Sequence, residues 1–161
     1  MKYLVAALMV CGASAAAQDI PFSTDATQSC INQTQGDKRD CIGLSADVCL
    51  ATDFGMSTYG MMACVGQELE FWEQKLSEYY QSGLMRSAEW DAELAQMEMT
   101  PVQQAQTLNN AMDHFIQFRE NTCAHQANVY AGGTIMGPIT VNCYLNMTAD
   151  FALTLAGTWS D

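Results

Sequence analysis

Residues 58–82 read TYGMMACVGQELEFWEQKLSEYYQS, and their spacing decides the fold. Apolar side chains at Met61, Val65, Leu69, Trp72, Leu76 and Tyr79 recur at steps of three and four, which sets them on one face of an α-helix. Gln67, Glu70, Gln74 and Glu78 take the opposite side, and Gly83 is the expected stop. Downstream, a shorter helix is expected over Ala88 to Gln96 with Trp90 and Leu94 facing inward. Thr100-Pro101 then reads as N-cap and first residue of a second long helix carrying Ala105, Leu108, Met112, Phe115 and Arg119 on its inner side. Gly132-Gly133 ends that pattern, and Gly137-Pro138 opens a last helix with Ile139, Cys143, Met147, Phe151 and Leu155 on one face.

Upstream, Asp25 to Cys49 suggests two short helical pieces broken at Gly36, too poor in large apolar residues to hold together without their cysteines. No run alternates with period two for long enough to form a sheet. The expected fold class is therefore mainly α: a small disulfide-stapled bundle of three longer helices plus short ones. The first residues, Met1-Lys2, an apolar run from Tyr3 to Val10 and then Ala15-Ala16-Ala17, have the order of a secretory signal peptide cleaved near Ala17. Met9 and Val10 are not the small residues that precede a lipid-modified cysteine, which weighs against a lipoprotein signal at Cys11. The resulting division is 1–17 signal peptide, 18–48 cysteine-containing extension and 49–161 helical domain, in a protein that is periplasmic or secreted.

The chain of 161 residues has 6 basic and 18 acidic residues, a net charge of −12, and 49% hydrophobic residues. Loss of residues 1–17 removes Lys2 and no acid, taking the charge from −12 to −13. Nucleic-acid binding is excluded as an expectation because phosphate contacts run on Lys and Arg. After residue 17 nothing approaches the ~18 apolar residues of a membrane span.

Cleavage also removes Cys11 and leaves Cys30, Cys41, Cys49, Cys64, Cys123 and Cys143, an even set that reads as disulfides in an exported chain. Six cysteines allow 15 connectivities. Cys30 and Cys41 are equidistant from a turn at Gln35-Gly36, Cys49 and Cys64 flank one near Gly55-Met56, and Cys123 and Cys143 are centred on Gly133. Elements running antiparallel out of a turn bring equidistant residues opposite each other, so the expected bonds are Cys30–Cys41, Cys49–Cys64 and Cys123–Cys143. The last would tether the loop carrying Tyr130, Gly132, Gly133 and Thr134, which makes that loop a candidate partner-binding element.

No catalytic motif stands out. A zinc cluster of Cys123, His125 and Cys143 has no common spacing and competes with oxidation, so no metal and no cofactor is expected. Glu68, Glu70 and Glu73 supply the residue type of a glycosidase pair, but carboxylates two, three or five apart on one helix diverge. Methionines such as Met61-Met62 and Met97-Glu98-Met99 are read as packing rather than as Cu(I) ligands. Arg119 occupies a core-facing position where a carboxylate must meet it, and Glu68 is the expected partner in a structural ion pair.

Cys64-x3-Glu68-x3-Trp72-x3-Leu76-x2-Tyr79, then Leu108-x6-Phe115-Ile116-Gln117-Phe118-Arg119-Glu120-x2-Cys123, then Gly132-Gly133-Thr134, Pro138, Cys143 and Thr148, resembles the lysozyme-inhibitor LprI N-terminal domain family over about Cys49 to Leu155. The chain departs from the family pattern at Glu73-Gln74-Lys75-Leu76-Ser77, Met112, Phe115, Glu120 and Phe151. The resemblance implies an exported, non-enzymatic bacterial envelope protein whose partner is a lysozyme or another cationic protein, which the acidic charge would attract. A structural or stress-related module without a lysozyme target is the alternative, and a cell-wall glycan hydrolase the least favoured reading.

Overall fold

The structure is a computed structural model that describes residues 19–100 and 102–158. The expected signal peptide with Cys11, as well as Pro101, lies outside the described residues. Among the described residues five α-helices follow one another: α1 (Asp25–Gln33), α2 (Leu44–Leu50), α3 (Thr58–Gln96), α4 (Gln104–Asn128) and α5 (Met136–Thr158). Short 3-10 turns at Arg39–Cys41 and Asp53–Met56 link the early helices, and no strand occurs among the described residues. The mainly α class is thus observed, and none of the described helices is long and apolar enough to cross a membrane.

With 39 residues α3 is about 58 Å long at a rise of 1.5 Å per residue, and it forms the spine. Its start is set by Ser57, whose Oγ accepts from the backbone N–H of Gly60 at 3.0 Å. Gly60 is required there, since a Cβ would lie 1.7 Å from the carbonyl oxygen of Phe54. Met62 lies against Gly137 and Gly66 opposite Val141, so α3 and α5 run parallel. Tyr80 donates to Asn109 and Glu73 meets Arg119, so α4 packs against the α3–α5 pair in the opposite sense. Trp72, Leu145, Ala149 and Ala152 are fully enclosed at the centre, where the two alanines let α5 approach the large indole.

Three sequence expectations are corrected. Gly83 does not stop the helix: α3 continues to Gln96, and the buried face extends through Gly83 and Ser87 to Leu94. A single interior glycine costs only about 1 kcal/mol, which a long packed helix tolerates. Trp90 does not face inward but is 45% exposed, while Leu94 one turn on is buried. The second long helix begins at Gln104 rather than Pro101, because its cap comes from α3: the Asp91 carboxylate accepts from the N–H of Gln104 at 2.9 Å and of Ala105 at 3.0 Å. The bonds Cys30–Cys41, Cys49–Cys64 and Cys123–Cys143 join α1 to the turn before α2, α2 to α3, and α4 to α5.

Candidate partner-binding surface

Glu68 is fully buried, and its neighbours are all donors. Its Oε1 accepts from Thr27 Oγ1 at 2.9 Å, the N–H of Gly43 at 2.7 Å and Trp72 Nε1 at 3.1 Å, while Oε2 accepts from the N–H of Ala46 at 2.7 Å. Gly43 precedes the first residue of α2 with φ +93, so the carboxylate caps that helix from outside the helix itself. Thr27 and Ser45 complete the cap by exchanging backbone and hydroxyl hydrogen bonds at 3.0–3.1 Å. One side chain of α3 thereby holds α1, α2 and the central tryptophan together.

This overturns the expected Arg119–Glu68 pair. Glu68 faces α2, whereas Glu73, five residues on and roughly 140° further round the helix, faces α4. The Arg119 guanidinium accordingly lies 3.6 Å from Glu73 and 3.7 Å from Glu120, both half-exposed. Its closest bond is from Nη1 to Thr148 Oγ1 of α5 at 2.8 Å. The cation also stands over the rings of Tyr144 at 5.1 Å and Phe115 at 5.7 Å. Tyr144 donates to Glu120 at 2.6 Å, and this bond, followed by burial and the carboxylate's charge, raises the phenol pKa above the ordinary tyrosine value. Arg119 therefore joins three helices, as a structural residue would, through partners other than the one sequence pointed to.

Among the carboxylates weighed as a catalytic pair, Glu68 is sealed from solvent, and Glu70 and Glu73 are exposed on the surface of α3. Cys123 and Cys143 are joined to each other, so neither is free to ligate a metal beside His125.

The disulfide between α4 and α5 lies close to the end of the bundle where these helices meet. There Gly132 adopts φ +82, and the N–H of Gly133 donates to the Tyr130 carbonyl at 2.9 Å. Residues 129–135 are all exposed, with Val129, Tyr130 and Ile135 the large apolar members. Met62 packs beside Gly137, bringing exposed Tyr59 and Met62 at the start of α3, and Met56 of the turn before it, toward the same region. Tyr130, Gly132, Gly133 and Thr134 thus occupy a tethered, solvent-facing loop at one end of the bundle.

A family model described as Lysozyme inhibitor LprI matches residues 49–155. The chain belongs to the LprI family. No curated protein and no solved structure matches it. The LprI region runs from the first cysteine of the α2–α3 bond almost to the end of α5, and so contains all of α3 and α4. Glu68, Trp72, Arg119 and Thr148 lie within it, whereas the Glu68 donors Thr27, Gly43 and Ala46 lie before it. The LprI helices and the preceding segment are consequently fastened through the interior, not merely joined in sequence.

Proposed function

We propose that this protein is an exported, non-enzymatic LprI-type envelope protein, with residues 49–161 as the family module and 18–48 as an extension, and that it binds and inhibits a lysozyme. Membership of the LprI family over residues 49–155 is the observation that carries this reading. The net charge of −12 supports it, because it draws a cationic partner into encounter. The loop from Tyr130 to Thr134 supplies the contact surface: its disulfide limits the entropy lost when the loop docks. A periplasmic or secreted location suits three disulfides.

The test is lysis of bacterial cell walls by c-type, g-type and i-type lysozymes with the oxidised protein in excess at low ionic strength. At least one lysozyme is expected to be inhibited, less strongly as salt rises. Tyr130→Ala and Thr134→Ala should weaken inhibition while leaving the melting temperature unchanged. Full activity of all three lysozymes would overturn inhibition. A pull-down from envelope extract at low and high salt that returned no basic partner would then favour the alternative, a structural or stress-related module.

A further inference from the structure

Arg39 and Ile42 precede the LprI region, yet they form one wall of a groove of about 750 Å³ whose remaining walls belong to α4 and α5. Its floor is the stacked pair Phe115 and Phe151, with ring centroids 4.1 Å apart and planes within 16°. Phe118 also lines the groove and is 64% exposed, so its ring continues the apolar surface of Phe115 and Phe151 out to solvent. The groove therefore combines family helices with a wall that the family match does not cover.

Its charge is equally specific. The Arg39 guanidinium bonds to Asp150 through Nε, to Asp37 through Nη1 at 3.2 Å and to Thr154 through Nη2 at 3.5 Å. Three of its five N–H donors are engaged and its charge is outweighed by the two carboxylates it bonds, so Arg39 contributes chiefly its aliphatic stem to the wall. Asp150 in the groove wall and Asp37 beside it, both bonded to the Arg39 guanidinium, leave this edge with one net negative charge on a chain of −12. Asp37 and Asp150 are both more than half exposed and can accept further donors. An anionic amphiphile would find the apolar floor but meet repulsion at the edge; a basic one finds both surfaces complementary.

We infer that this groove docks a basic amphipathic segment of a partner protein, an apolar side chain seating on Phe115 and Phe151 while a neighbouring Lys or Arg meets Asp150 and Asp37. The inference does not depend on the partner being a lysozyme, since a chain that inhibits none still carries the groove.

The probe is an acetylated, amidated 14-residue peptide of leucine and lysine with the leucines at helical spacing, titrated into the oxidised protein. Binding is read by anisotropy of the labelled peptide and by amide shifts of the ¹⁵N-labelled protein. Shifts should gather at Ile42, Ala111, Phe118 and Met147. Phe118→Ala should weaken binding at least about fivefold without altering the melting temperature, as expected for an exposed anchor. Asn146→Trp, which fills the groove from α5, should weaken it as well. A peptide with glutamate in place of lysine should not bind. Equal binding of the glutamate peptide, shifts spread over the acidic face of α3 instead of the groove, indifference to both substitutions, or displacement of the peptide by dodecanoate at equal affinity would each overturn the proposal.

Discussion

Replacing Glu68 by Gln alters the side chain by little more than exchanging one oxygen for a nitrogen, yet it should destabilise the protein by about 3 kcal/mol. An amide keeps one acceptor. If its oxygen takes the place of Oε1, it retains Thr27, Gly43 and Trp72, and the NH₂ then faces the N–H of Ala46, where Oε2 now accepts at 2.7 Å. That exchange removes a charge-assisted bond of roughly 1.5–3 kcal/mol and leaves a buried backbone donor unpaired. The three retained bonds weaken as their acceptor becomes neutral, and α2 loses the negative charge at its N-terminus. For a domain of this size about 3 kcal/mol corresponds to a fall of about 10 °C in melting temperature. Urea unfolding followed by circular dichroism with the disulfides intact gives the value directly. Thr27→Val should combine with Glu68→Gln non-additively, since both touch one network, whereas Arg119→Met should simply add. A loss below about 0.5 kcal/mol, or stronger coupling to Arg119 than to Thr27, would refute the cap described for Glu68.

Gly60→Ala should cost more than about 3 kcal/mol, because its Cβ would collide with the Phe54 backbone, while Gly66→Ala, which meets only Val141 at 3.9 Å, should be neutral or gain up to about 1 kcal/mol of helix propensity; thermal melts of the pair compare them. Asp91→Ala removes the acceptor for two N–H groups at the start of α4 and should cost about 1–2 kcal/mol in urea unfolding. The raised Tyr144 pKa means that the folded state holds its phenolic proton more tightly than the unfolded state. The stability this confers is complete below pH 10 and disappears as pH rises through the folded value. Spectrophotometric titration at 295 nm should show Glu120→Gln lowering that pKa, and an unchanged Tyr144 titration would remove the bond to Glu120 from the account.

The helices were legible where local periodicity governs them. Val65, Trp72 and Leu76 lie on the buried face as their spacing requires, and the cysteines pair across the turns they flank. Features set by distant partners were not legible. Asp91 caps a helix thirteen residues away, so the local signal at Thr100-Pro101 pointed to the wrong start. Gly83 has the local signature of a stop because propensity alone carries no knowledge of α4 and α5 packing beside it. The Arg119 expectation failed in its partner and not in its logic: a carboxylate is near, but the rotation between residues 68 and 73 decides which one. Charge matching singled out Glu68, whereas its actual neighbours are neutral donors, which leave no mark in a charge pattern. The groove beside Phe118 was equally hidden, since Arg39 and Ile42 meet α4 and α5 only after the chain has folded.

The three disulfides among the described residues join cysteines 11, 15 and 20 positions apart, and no span contains or crosses another. Each of the six described cysteines is bonded to its immediate neighbour among them in the order of the sequence. A polypeptide emerging N-terminus first therefore presents every correct partner as the next thiol to appear. Oxidation that merely keeps pace with emergence selects the native set from 15 possibilities without a wrong bond having to be undone.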